Sequence, residues 1–331
     1  MSNWVKYQNG NYSVALDLET GTKIRENDLD CFEAEFPESA DVKITNRCTN
    51  PLQRSLPPSK LHMGNCPFCH ENSTCDGKHS DALHSPIWDS FHPYTEISLG
   101  GGNVLEYPDL IPLLKRLKSL KLIPSITLHQ THFESNFELV KKLSDQKLIY
   151  GLGVSLKFPS TESSKFPEFV EKMKQFPNGV VHVINGMVYP YQLYRLAYNN
   201  IKILILGYKN VNRGSKLYHT NIGYSIDKRK TLLYNTLEKI LKERWFPVVS
   251  FDNLAIQQLK PQRFVSEEYW ETCYMGDDGV NGELTSASMY VDLVENEFAK
   301  NSCAVNNEYV HNRYKIENRT VTEMYQFLKT Q

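Results

Sequence analysis

The feature that most constrains the fold is a repeated exchange of strand-like and helix-like segments between residues 41 and 255. Short apolar or alternating runs fall at 42–46, 96–99, 123–128, 151–156, 180–184 and 203–206. Between them lie stretches with apolar residues at helical spacing. Tyr107-Pro108-Asp109 opens one at 110–120, which carries Leu113, Leu114, Leu117 and Leu120 along one face. Others run over 133–147, 162–175, 190–198 and 231–244. Parallel strands need crossover connections of this kind, so the alternation predicts βαβ units. Six units predict an α/β fold, a partial (β/α)6 TIM-like barrel. A doubly wound open sheet is the competing arrangement, and 246–251 offers a seventh strand.

The flanks have a different rhythm. Residues 12–18 alternate as a strand should, and Glu19-Thr20-Gly21-Thr22 supplies a turn, so residues 1–40 are expected to form an N-terminal β-hairpin extension. The barrel core is expected over 41–260. Residues 261–331 are expected to form a C-terminal α+β extension over the barrel, with a hairpin from 289–293 and 298–303 and a final helix at 321–328. Lysine and arginine number 37 against 38 acidic residues, a net charge of −1, which gives no support to a nucleic-acid partner. No apolar run approaches the roughly 20 residues of a membrane span. The first residues, MSNWVKYQNGNYS, hold no apolar signal core.

Seven cysteines are present, and four of them (Cys48, Cys66, Cys69, Cys75) fall within 28 residues. Disulfide frameworks belong to small secreted chains, so a reducing cytoplasm with thiolate–metal bonding fits better. Cys31, Cys273 and Cys303 are expected to be small buried hydrophobes. Cys48 closely follows the first core strand, and Cys66-Pro67-Phe68-Cys69 places two thiols within reach of one metal or cluster. Spacing alone serves two sites. Cys75, His70 or His79 would complete tetrahedral zinc, whereas three thiolates with an open position would suit an iron–sulfur cluster. The second strand ends in Gly100-Gly101-Gly102-Asn103. This turn lacks the Lys-Ser/Thr of a phosphate-binding loop and the spacing of a dinucleotide fingerprint.

The set KITNRC…CPFC followed by SLGGGN resembles the radical S-adenosylmethionine (radical SAM) enzymes, over roughly residues 41–255. Their signature is three cysteines after the first strand of a partial barrel, an aromatic before the last, and a glycine-rich turn after the second strand. The resemblance implies that Cys48, Cys66 and Cys69 bind three irons of a [4Fe–4S] cluster, and that S-adenosylmethionine (SAM) takes the fourth. Phe68 would pack near the adenine, and Gly100, Gly101 and Gly102, with Asn103, would hold the methionyl amine. Ser155 and Lys157 would face ribose or carboxylate, and Asn185 would sit near the adenine. The implied activity is reductive cleavage of SAM to a 5′-deoxyadenosyl radical that abstracts hydrogen from a substrate. The electron would come from a donor such as flavodoxin or ferredoxin. One cluster is expected, because Cys273 and Cys303 are too few for a typical auxiliary-cluster domain.

The sequence departs from the family in two respects. The glycine turn has Asn103 where many members have an acidic residue or proline nearby. Seventeen residues separate Cys48 from Cys66 where three are usual. Residues 49–65, with Pro57-Pro58, read as an inserted loop of about 14 extra residues, tolerable because loop length costs little entropy. If Cys48 is not a ligand, Cys75 is the replacement. The alternative function is a non-catalytic zinc-binding protein, with a structural knuckle of three or four cysteines completed where needed by a histidine. A methyltransferase or nucleotide-binding enzyme using only the glycine turn leaves the cysteines unexplained.

Several other residues carry two readings. His129 and His132 end the third strand and would contact substrate or cap the next helix. Tyr208, Lys209 and Arg213 would bind an anionic group or form a solvated loop, and Asp252 and Asn253 are read the same way. Asp277-Asp278 would place a carboxylate over the barrel mouth or form an ordinary turn. Lys228-Arg229-Lys230 reads as a solvated run opening a helix.

Overall fold

The computed structural model describes residues 3–28, 31–49, 66–157, 164–306 and 311–331. The expected insertion at 49–65 lies, beyond Thr49, outside the described residues, as does the start of the helix expected from 162.

The chain opens with a three-stranded antiparallel sheet of β1 (Trp4–Asn9), β2 (Tyr12–Asp17) and β3 (Lys23–Glu26). A hairpin is present as read, but β1 precedes it. Gly10, at φ +60°, and Asn11 make the tight connection between β1 and β2.

The main sheet follows the expected alternation. Strands β4 (Ser39–Thr45), β5 (Glu96–Gly101), β6 (Ile123–His129), β7 (Gly151–Ser155), β8 (Gly179–Ile184), β9 (Lys202–Leu206) and β10 (Val249–Phe251) pair in sequence order, all parallel. The seventh strand is therefore formed, so the parallel run exceeds six. The other side of β4 takes β11 (Ser288–Asp292), again parallel, then β12 (Glu297–Ala299) and β13 (Tyr314–Lys315), both antiparallel. The expected C-terminal hairpin is β11–β12, and it continues the main sheet.

The intervening helices include α1 (Leu110–Ser119), α2 (Gln130–Ser135), α3 (Phe137–Asp145), α4 (Phe166–Met173), α5 (Pro190–Tyr194), α6 (Asn212–Tyr218), α7 (Ile222–Lys242) and α8 (Asn253–Leu259). Near the C-terminus come α9 (Glu267–Cys273) and α10 (Val321–Lys329). The single helix expected at 133–147 is two. It breaks at Asn136, whose side-chain amide donates to the His132 carbonyl at 2.9 Å and competes with the helical ladder. The basic run Lys228-Arg229-Lys230 lies inside α7, not at its start. Arg229 covers the Tyr189 ring, and Lys230 lies over Tyr208 and Tyr218, so the run is not simply solvated.

Strand parity decides where the core sits. Ile97 and Leu99, Ile126 and Leu128, Val181 and Val183, and Ile203 and Ile205 are buried in the main hydrophobic core. The alternate residues line one cavity: Ser98 and Gly100, Ser125 and Thr127, Gly153 and Ser155, His182 and Ile184, and Leu204 and Leu206. The sheet thus curves around a space instead of filling it. The inner faces of β5 to β7 carry glycine, serine and threonine, too small and polar to pack the interior as in a filled barrel.

Candidate active site

The cavity has a volume of about 550 Å³, within the ~300–1,000 Å³ of ligand pockets. Cys48, Cys66 and Cys69 all line it. Cys48 is held between two segments. Its N–H donates to the Thr74 carbonyl at 2.7 Å, and beside it the Asn103 N–H donates to the Arg47 carbonyl at 2.8 Å. The described loop after the insertion folds back on this stretch: Asn46 N–H meets the Lys78 carbonyl and Thr74 N–H meets the Asn46 carbonyl, both at 3.0 Å. A tight turn, Cys69 N–H to Cys66 carbonyl at 3.2 Å, joins the other two cysteines. Burial pushes the Cys66 thiol up, and the charges of Cys69 and then Cys48 push it further, while Arg213 opposes them. A buried thiol disfavoured as a thiolate by its neighbours is a donor that a cationic metal centre would relieve.

The cysteine loop is clamped by a buried ion network. Glu71 meets Lys43 at 3.3 Å and accepts from Tyr290 at 3.0 Å; Lys43 meets Asp292 at 3.0 Å, which also meets Arg313 at 3.3 Å. Burial would raise the Glu71 carboxyl, but His70 and Lys43 hold it well below its ordinary range. β4, β11 and the cysteine loop are therefore tied together by charge.

The glycine turn has two kinds of glycine. A Cβ at Gly101, where φ is +103°, would meet the Thr45 carbonyl oxygen at 2.3 Å, and one at Gly102 would meet that of Arg47 at 2.0 Å. Their close approach is to the protein's own backbone, whose carbonyls pack against the turn. Among the described residues, a Cβ at Gly100 would meet nothing within 4 Å, and all three glycines line the cavity.

Phe68 and Ser155 also line the cavity. Phe68 packs against a small apolar cluster of Met187, Tyr208 and Ile226. Asn103, Lys157 and Asn185 are not on the wall. Asn103 caps the turn at 104–106. Lys157 N–H donates to Gln130 at 3.0 Å. Asn185 follows the inward-facing Ile184, so parity turns it away, and its amide donates to Gln258 at 2.9 Å.

The double readings divide. His129 lines the cavity and also caps α2, accepting the Thr131 N–H at 3.2 Å; burial, with the charges of His132 and Lys157, pushes it down to about 3. Tyr208, Lys209 and Arg213 are not a solvated loop. All three line the cavity, Tyr208 and Arg213 are buried, and Lys209 donates to Ser302 at 2.7 Å. Asp252 lines the cavity and caps α8, whereas Asn253 donates to the Gly276 carbonyl. Asp277 is the ordinary turn, accepting the Gly279 N–H at 2.7 Å, and Asp278 lines the cavity, where burial pushes it up to about 6. Cys31 and Cys273 are exposed, contrary to the buried reading, because both lie in peripheral segments; Cys303 lines the cavity.

Cys75 does not contribute to the cavity wall. His70 faces Glu71 at 3.3 Å, and His79 pairs with the Thr45 hydroxyl at 2.9 Å. Among the described residues, no three or more His, Cys, Asp or Glu side chains converge tightly enough to hold a single metal ion. No described helix is long and apolar enough to cross a membrane.

Sequence reading missed His182 and Asp41. Both occupy inward positions of strands that it recognised, so parity was the available signal. Burial, then the Lys209 charge, pushes His182 down to about 4. Burial raises Asp41, opposed by Lys209 and a Ser98 hydrogen bond.

No protein-family model matches the chain, and no curated protein matches it by sequence. Solved structures do. Streptococcus suis SuiB bound to S-adenosylmethionine aligns with a TM-score of 0.58 at 10% identity, covering 98% of this chain and 87% of SuiB. SuiB bound to precursor peptide SuiA aligns with a TM-score of 0.54 at 12% identity, covering 94% and 85%. The chain has the SuiB fold. At such identity the likeness reaches the architecture: a mixed α/β chain around a large parallel sheet.

Proposed function

We propose that this chain is a radical SAM enzyme, built on a partial barrel at 41–260 with residues 1–40 before it and 261–331 closing its open side. Cys48, Cys66 and Cys69 would hold three irons of one [4Fe–4S] cluster. The observation that carries the reading is that these thiols, 17 residues apart at their widest sequence gap, line one cavity with Gly100, where no described residue lies within 4 Å of an added Cβ. The donor chemistry fits, since three thiolates and an open position suit such a cluster. Bound there, the cluster and SAM would supply a one-electron reductive cleavage giving the 5′-deoxyadenosyl radical.

The chain's own residues would bind and shield. Gly100 would admit the methionyl amine against the backbone, and the Phe68–Tyr208 shelf would take the adenine. Ser155 would reach the ribose. Leu204, Leu206 and Ile184 would keep that side of the cavity dry. Lys157 and Asn185, which are off the wall, would act on the ligand only through neighbours. Hydrogen abstraction would occur in the polar half, near His182 and Asp41. The SuiB–SuiA complex makes a peptide the first substrate class to test, with a flavodoxin or ferredoxin as electron donor and the reducing cytoplasm as the setting.

Anaerobic reconstitution with iron and sulfide tests the proposal. The expected product is a brown protein with about four irons per chain, which forms 5′-deoxyadenosine from SAM when reduced with dithionite. A colourless protein that retains zinc and forms none would favour the structural knuckle. About eight irons would overturn the single-cluster expectation.

The glycines make a sharper test. Gly101→Ala and Gly102→Ala are expected to lose about 1–3 kcal/mol by overpacking. Gly100→Ala should keep wild-type stability but weaken SAM binding about tenfold, roughly 1.4 kcal/mol. Equal SAM affinity in Gly100→Ala and wild type, measured by calorimetry, would remove the proposed role of Gly100.

A further inference from the structure

The turn after β5 and the helix after β6 meet at the sulfur of Cys48 through a defined hydrogen-bond chain. Asn103 is buried and its orientation is fixed: its side-chain oxygen accepts the Leu105 N–H at 3.2 Å. The amide nitrogen must then occupy the other end, where it lies 2.9 Å from Glu106 Oε1 and 3.1 Å from His132 Nδ1. An amide N–H donates, so Nδ1 of His132 is the accepting nitrogen. In a neutral ring the proton then sits on Nε2, and that nitrogen lies 3.5 Å from Cys48 Sγ. His132 is only 3% exposed, which keeps water from competing for the contact.

We propose that His132 is a positioning residue that donates an N–H···S hydrogen bond to Cys48, with Asn103 selecting the ring tautomer that makes the donation possible. Glu106 braces the same unit. Its Oε1 accepts from the N–H and hydroxyl of Thr49, at 3.0 and 2.6 Å, so the residue after Cys48 is held by the carboxylate that holds Asn103. The inference rests on Cys48 being a cluster ligand. A donor aimed at a ligating sulfur withdraws charge from it and favours the reduced cluster, which raises the potential for uptake of one electron. The helix break at Asn136 leaves His132 on its own short helix, α2.

The test is an anaerobic redox titration of the reconstituted holoprotein, with dithionite as the one-electron donor and electron paramagnetic resonance as the readout. His132→Leu removes the donor, and His132→Gln keeps an N–H at similar reach. His132→Leu is expected to retain iron and to be harder to reduce by about tenfold in the equilibrium constant, which is ~59 mV for a one-electron couple. His132→Gln is expected to stay close to wild type. Nitrogen-15 spectra of the iron-free protein give an independent reading: His132 should be the Nε2–H tautomer. An Nδ1–H tautomer in wild type overturns the inference, and so does an unchanged potential in His132→Leu, or an equal shift in Leu and Gln. Cys48→Ala separates the layers: if it keeps a full cluster, the ligand assignment fails and takes this inference with it.

Discussion

Cys48→Ala will fail to hold a cluster, and Cys75→Ala will hold one as well as wild type. After anaerobic reconstitution the first variant is expected to carry iron at background, lack the visible absorption of wild type, and form no 5′-deoxyadenosine beyond a protein-free control. The second should match wild type in all three. Cys48 lines the cavity with Cys66 and Cys69, and its backbone is fixed on both sides, by Thr74 and by the glycine turn. Cys75 stands off that wall. Two thiolates cannot fill three iron positions, so removing Cys48 would cost the proposed cluster, whereas removing Cys75 would leave all three proposed ligands in place. The opposite pattern, with iron kept in Cys48→Ala and lost in Cys75→Ala, would transfer the third ligand to Cys75. Loss in both would point to a four-thiol site and the zinc reading.

The strands of the main sheet were legible because each is a short apolar run bounded by turns, and parallel pairing follows from the helices between them. Even β10 could be read from the run ending at Phe251. What could not be read was the partner of β4 on its far side. β11 comes from residues about 250 positions downstream, and no local pattern announces that Tyr290 will pair with Asp41. The same long-range docking creates the Lys43–Glu71–Asp292 network, so it too was invisible. β1 was readable in principle: Asn9-Gly10 is a strong hairpin signal, but the strand's exposed outer face dilutes its apolar pattern.

The candidate site was legible to the extent that its chemistry is concentrated in sequence. Three thiols and three glycines stand out because each set follows directly on a recognisable strand, β4 and β5. What the sequence does not show is that two of the three glycines answer to the carbonyls of Thr45 and Arg47, although all three line the cavity. Lys209 and Arg213 look like surface residues in GYKNVNRG, because polar composition cannot distinguish a loop facing solvent from one facing a cavity. His132 carried a signal only as one of two histidines after a strand; its tie to Asn103 depends on the helix break at Asn136.

Glu38→Ala will destabilise the fold by about 3–5 kcal/mol at neutral pH, the usual cost of removing one partner from a buried ion pair. Glu38 is 1% exposed and sits where the N-terminal sheet meets β4. Its carboxylate takes Arg25 through two nitrogens, at 2.9 and 2.7 Å, Lys23 at 3.1 Å, and the Tyr12 hydroxyl at 2.6 Å. Its backbone meanwhile receives the Glu96 N–H and donates to the Ala287 carbonyl, so the residue joins β5 and the approach to β11 as well. Truncation leaves the Arg25 guanidinium without its carboxylate, a cost that Glu38→Leu with Arg25→Leu should largely recover, since no charge is then buried unpaired. Burial raises the Glu38 carboxyl, but Arg25 and Lys23 outweigh it and hold the group below its ordinary value of 4.5. A depressed folded-state value means that the stabilisation is present above about pH 4.5 and is lost as pH falls through the folded value. The gap between wild type and Glu38→Ala in urea unfolding should therefore be full at pH 7, begin to close below about pH 4.5 and shrink as pH falls through the lower folded value. A gap under about 1 kcal/mol at pH 7 would put this network among the weak surface pairs. A gap that persists unchanged into acid would assign the loss to packing rather than to charge.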